Sequence, residues 1–108
     1  MYEPSRHMAT YYIAGFQHWD GALALGELKP GAELRLAPEP DNPYDPEAMA
    51  IYFGQTKLGY VPASENGTVS VMCRYGHADA FELRVLQVDA EADPWHQVRV
   101  GLYVRDAR

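Results

Sequence analysis

The sequence predicts an all-β fold with one principal helix, a β-rich α+β chain whose strands form a small six-stranded β-barrel. Three observations lead there: six short runs of strand-forming residues, Gly and Pro turn signals between them, and a single stretch with helix start and stop signals. The 108 residues suffice for one domain with one modest core. A hydrophobic share of 47% and a charged share of 22% are those of an ordinary globular chain. No apolar run reaches the length of a membrane span.

Residues 1–10 carry Glu3, Pro4, Arg6 and His7 without an apolar run, so they read as a loose, flexible tail and not as a signal peptide. The domain is expected over residues 11–108. Its first strand is the Tyr-Tyr-Ile-Ala-Gly-Phe run at 11–16. Residues 17–30 contain Ala22, Leu23, Leu25 and Leu28 but are punctuated by Gly21, Gly26 and Pro30, which predicts an irregular connection over the core. Glu33-Leu34-Arg35-Leu36 alternates as a half-buried strand that stops at Pro38. Residues 48–53 form a more apolar strand, and Gly54-Gln55 turns it into a second arm at 56–61, a hairpin.

The helix is placed at residues 62–75, with Ser64 as N-cap, Glu65 in the first turn and Gly76 as the stop. Val69, Met72 and Cys73 share one face of it. Phe81, Leu83 and Val85 alternate until Val85-Leu86 breaks the period, the mark of a bulge or sharp bend. After an acidic loop from Asp89 to Pro94 that leads to Trp95, Val98, Val100, Leu102 and Val104 alternate in the last strand. The expected core is Ile13, Leu34, Leu36, Ile51, Leu58, Leu83, Val98, Val100 and Leu102.

The most unusual stretch is Pro38-Glu39-Pro40-Asp41-Asn42-Pro43-Tyr44-Asp45-Pro46-Glu47. Four prolines fix φ and remove four N–H donors, while Asp41, Asn42 and Asp45 can close turns onto their own backbone. Such a stiffened polar loop is either a rigid turn between strands or a platform that presents side chains to a partner.

The charge balance narrows the choices. A net charge of −6, with nine Lys and Arg, argues against a broad electrostatic grip on nucleic acid. Glu39, Asp41, Asp45 and Glu47 could serve as oxygen ligands to Mg²⁺ or Ca²⁺, but they lack the periodicity of a calcium loop and have no adjacent base. No metal and no cofactor are expected. The single Cys73 falls on the apolar helix face, where a thiol is inert, and His7, His18, His77 and His96 have no zinc spacing with it. A lone cysteine agrees with a reducing cytoplasm. His18, Trp19, Tyr44, Tyr60 and Trp95 all fall at strand ends or loops, where they either stack on unpaired bases or roof the ends of the barrel.

Glu39-Pro40-Asp41-Asn42-Pro43-Tyr44-Asp45, then Ala48 and Lys57-Leu58-Gly59-Tyr60-Val61-Pro62, together with Ala14-Gly15-Phe16-Gln17-His18-Trp19, resembles the HIRAN family across about residues 12–103. The resemblance implies a barrel related to OB and SH3-like folds. HIRAN domains occur alone in bacteria and at the N-terminus of helicase-like remodellers of stalled forks, where their pocket captures the 3′ end of single-stranded DNA. Carried over by motif, Tyr44 stacks on the terminal base and Asp45 accepts a hydrogen bond from the free 3′-OH. Asn42 braces the loop or bonds the sugar-phosphate, Gln17 and His18 touch backbone and base, and Tyr60 lines the pocket. Trp19 and Trp95 are further stacking candidates. Gln17-His18 stands where the fork-remodeller domains carry arginine-tyrosine, and Pro62-Ala63 where they carry lysine, so cations are missing here.

The expectation is therefore a non-catalytic, cytoplasmic module for single-stranded DNA, read at its free 3′-OH end, in a repair or replication setting. The alternative is a protein-interaction or structural module of the same fold that has lost DNA binding. No membrane association is expected.

Overall fold

The computed structural model describes residues 5–105. Six strands form one antiparallel sheet in the order β1-β6-β5-β2-β3-β4, with β1 Ser5–Tyr12, β2 Glu33–Pro38, β3 Met49–Phe53, β4 Thr56–Tyr60, β5 Phe81–Val88 and β6 Val98–Arg105. β2 joins two halves: its start, Glu33 and Leu34, pairs with β5, while Arg35 to Pro38 pair with β3. The sheet therefore curls around a single core containing Ile13, Leu34, Ile51, Leu58, Leu83, Val98, Val100 and Leu102, with Leu36 packed at its edge. On β5 the inward residues alternate, Phe81, Leu83 and Val85, as a pleated strand with one dry face requires, whereas β3 buries Met49, Ala50 and Ile51 in succession.

The sheet does not close into the expected barrel. Its two edge strands meet only through one bridge, where Ala14 and Tyr60 exchange both backbone hydrogen bonds at 2.8 Å. Beyond Ala14 the chain cannot continue the ladder, because Gly15 adopts φ 70° and turns it into a 3₁₀ turn at Phe16–His18. On the other side of the bridge Gly59 has φ 149°, and its missing Cβ is what lets Ala14 approach.

Three other expectations change. The first strand lies at Ser5–Tyr12 rather than 11–16, so residues 5–10 are not a loose tail. β6 offers a long edge through Arg105, and its ladder supplies hydrogen bonds that polar composition alone does not announce. The expected tail at residues 1–4 lies outside the described residues. The principal helix is shorter than residues 62–75: α2 spans Gly67–Arg74, with Asn66 at the N-cap position and Ser64 and Glu65 in the turn before it. A four-residue helix, α1 Gly21–Ala24, forms within the connection read as irregular.

The remaining local readings hold. The β5 bulge falls at Leu86, where pairing steps from Val85–Val100 to Gln87–Arg99. α2 buries Val69 and half-buries Met72 and Cys73 against the core. It stops at Gly76 (φ 91°), where His77 N–H bonds Met72 C=O and Gly76 N–H bonds Cys73 C=O. None of the described helices is long and apolar enough to cross a membrane.

Candidate functional site

The proline-rich loop between β2 and β3, the end of β4 and the turn at Phe16–His18 surround a groove of about 920 Å³. Each wall has a local cause. The loop is closed by its own side chains: Asn42 Oδ1 accepts from the backbone N–H of Tyr44 (2.9 Å) and Asp45 (3.1 Å), and Asp45 Oδ1 accepts from Glu47 N–H (2.8 Å). These are the Asx turns that Asn and Asp favour. Buried Phe16 anchors the opposite wall and leaves His18 and Trp19 facing the groove.

Of the residues singled out in the sequence, His18, Trp19, Asn42, Tyr44, Asp45 and Tyr60 all line this groove. Gln17 sits on the same 3₁₀ turn, exposed and outside the groove lining. Trp95 is also outside it, on another 3₁₀ turn at Pro94–His96, edge-on to His96. Tyr44 is 95% exposed, so both faces of its ring are open.

The floor is a compact polar cluster that sequence reasoning missed. Lys57 Nζ donates to Glu39 Oε2 at 2.6 Å and to the Tyr60 hydroxyl at 2.8 Å; the Tyr60 hydroxyl donates to Glu39 Oε1 at 2.8 Å. Asn42 Nδ2 donates to the same Glu39 oxygen at 3.2 Å, which ties the loop to β4. The Lys57 ammonium also lies 3.8 Å from the centre of the Trp19 ring and 4.5 Å from that of Tyr60. Lys57 thus covers one face of Trp19, and a ligand must approach the other. Tyr60, with its hydroxyl bound and a ring face covered, positions Lys57 and Glu39 more than it offers a stacking surface.

Burial opposes ionisation of both members of the ion pair, but the bonds from Lys57, Tyr60 and Asn42 outweigh it and hold Glu39 below the usual glutamate value. Lys57 is likewise held above its usual value by Glu39 and Tyr60 against the effect of burial. A depressed acid stabilises the fold above its ordinary value of 4.5 and loses that contribution as pH falls through the lower folded value. A raised base stabilises below 10.5 and loses its contribution as pH rises through the higher folded value. Melting temperature followed against pH should therefore show a smaller acid-side loss in Glu39→Gln than in the wild type. Equal acid limbs would mean that the cluster contributes nothing to folding.

A second missed residue is Asn66, nearly fully buried at the start of α2. It makes no side-chain cap to its own helix; Nδ2 instead donates to Asp45 Oδ2 at 2.9 Å. No local pattern marks this role of the asparagine, because its partner lies 21 residues earlier. Asp45 is consequently held from two sides. The four acidic residues of the loop do not share one point: Glu39 is spent on Lys57 and Tyr60, Asp45 on Glu47 N–H and Asn66. Among the described residues no three His, Cys, Asp or Glu side chains are grouped as metal ligands. Burial raises the Cys73 thiol above its usual value, away from a reactive thiolate.

Comparison with known proteins places this architecture. The family model described as the HIRAN domain matches residues 7–105. A crystal structure of a protein from Lactobacillus plantarum is similar at a TM-score of 0.75 and 21% identity, covering 93% of this chain and 94% of that one. The HIRAN domain of human HLTF is similar at a TM-score of 0.62 and 12% identity, covering 95% of this chain and 82% of that one. No curated protein matches the sequence.

Proposed function

This chain belongs to the HIRAN domain family, and from that premise we propose that it is a non-catalytic module that binds single-stranded DNA at a free 3′-OH end. The observation that carries the reading is the state of Asp45. Its two oxygens each accept one hydrogen bond, from Glu47 N–H and from Asn66 Nδ2. An ionised carboxylate has about four acceptor positions, so a held and oriented Asp45 keeps room for a ligand hydroxyl. The open Tyr44 ring stands next to it for the terminal base. Such a carboxylate accepts from a 3′-OH and repels a phosphate at the same place, which is the chemistry of end selection.

One observation favours a second reading, a protein-interaction module. Glu39, Asp41 and Asp45 face the groove, against Lys57 as its one lysine or arginine among the described residues, and Lys57 is already paired. On the DNA reading, binding therefore depends on stacking and on the end hydroxyl, with a shallow salt dependence.

Fluorescence anisotropy at low salt, with oligonucleotides ending in 3′-OH or 3′-phosphate, separates the two. The wild type should prefer the 3′-OH end. Asp45→Ala should weaken that ligand by about 1.5–3 kcal/mol and leave the 3′-phosphate ligand unchanged or better bound. Tyr44→Ala should weaken both by about 1–3 kcal/mol, the worth of one stacked base. Wild-type protein that binds both ligands alike would overturn end recognition, and protein that binds neither would overturn it in favour of the interaction module.

A further inference from the structure

A smaller pocket of about 170 Å³ lies outside the groove, lined by Tyr12, Gln87, Asp89, His96, Gln97 and Arg99 among others. The strand registers explain its floor. Arg99 on β6 stands directly opposite Tyr12 on β1 and Gln87 on β5, so the three form a row across the outer face of the sheet. The 3₁₀ turn at Pro94–His96 closes one side, with the His96 ring 4.8 Å from that of Tyr12.

Arg99 is the unusual member. Its Nε is buried and has no hydrogen-bond partner among the described residues. The other strand arginines are engaged: Arg35 lies over Tyr52, Arg84 pairs with Glu82, Arg105 pairs with Glu33, and Arg6 on β1 is also partnered. Asp89 is in the same pocket, yet its Oδ1 is turned to Glu91 N–H at 3.0 Å. A guanidinium held in a small concave site, with an imidazole, a phenol and two amides around it, has the donor geometry of an anion site.

The pocket also has a defined relation to the groove. The turn carrying His96 packs against the turn carrying His18, and His18 lines the groove while His96 lines the pocket. Trp95, half-exposed, is on the same turn as His96, edge-on to its ring. We propose that this pocket is a phosphate subsite, in which Arg99 takes a backbone phosphate of the same strand whose 3′ end occupies the groove, with Trp95 under an intervening base. The proposal rests on the single-strand reading above. It assigns Trp95, His96 and Arg99 a common role that the groove leaves unused.

The test is a length series of oligonucleotides with 3′-OH ends, from two to ten nucleotides, on wild type, Arg99→Gln, Arg99→Lys and Asp45→Ala. The wild type should show a step in affinity at the length that reaches Arg99, roughly five- to tenfold. Its salt slope should steepen there by about 0.7, the value for one phosphate of a single strand. Arg99→Gln should abolish the step and leave the dinucleotide unaffected, whereas Arg99→Lys should keep the slope. Thermal melts check that each variant is folded. A series without a step, or a step that survives in Arg99→Gln, overturns the subsite even if Asp45 still governs the dinucleotide. A step that needs Arg99 together with indifference to Asp45 overturns end recognition instead. Titration with inorganic phosphate, followed at the Arg99 Nε–H resonance, separates a site for free phosphate from one for a strand; a shift without a length step counts against the proposal.

Discussion

Gly59→Ala is expected to lower stability by about 3 kcal/mol or more, the sum of backbone strain and overpacking. A Cβ at this position would lie 2.4 Å from the Ala14 carbonyl oxygen and 2.7 Å from Ile13 Cγ2. Both are fixed groups, one being backbone and the other part of a side chain that is 1% exposed. The φ of 149° adds strain for any residue with a side chain. What gives way is the Ala14–Tyr60 bridge, the contact that draws the two sheet edges together and sets Tyr60 against Lys57 and Glu39. Because small domains are stable by only ~5–15 kcal/mol, the variant should show a large fall in urea midpoint together with loss of the groove. Gly26→Ala is the control, since nothing lies within 4 Å of a Cβ there. A Gly59→Ala protein that melts like Gly26→Ala would show that the bridge is not what holds the edges.

Phe16→Ala should cost about 3–5 kcal/mol, the usual loss for a large aromatic removed from a core. Phe16 is 2% exposed, and its ring lies so close over Gly21 that a Cβ on Gly21 would approach it to 2.3 Å. One side chain therefore pins the 3₁₀ turn to α1 and so holds His18 and Trp19 at the groove. Beyond the shifted urea midpoint, the variant should lose the Trp19–Lys57 contact, visible as a change in tryptophan emission at denaturant levels where the fold persists. Phe16→Leu, which keeps much of the volume, should retain most of both. If Phe16→Ala unfolds within 1 kcal/mol of wild type, the turn is held by something other than this ring.

The proline-rich loop, the hairpin at Gly54-Gln55, the Leu86 bulge, the Gly76 helix stop and the apolar core were all legible in the sequence, because each is a local pattern. Spacing, turn chemistry and alternation act over a few residues, and the structure follows them. The candidate residues His18, Asn42, Tyr44, Asp45 and Tyr60 also line one groove, whereas Gln17, carried over with them, does not.

Other features were settled only by tertiary pairing. The strand at residues 5–10 exists because β6 presents an edge long enough to pair with it. Closure of the barrel fails because Gly15 turns the chain away after a single bridge. Asn66 reaches Asp45 across 21 positions and so leaves its own helix uncapped by a side chain. The Lys57–Tyr60 contact is the clearest case. Residues three apart in a regular strand point to opposite faces. In β4, however, the pairing steps from Gly59–Ile51 to Lys57–Tyr52, leaving Leu58 as the extra residue of a bulge. That one-residue shift puts Lys57 and Tyr60 on the same face, where both can reach Glu39. Period and composition determine which residues go inward, but a register shift depends on the partner strand, so only the assembled sheet decides which charges meet.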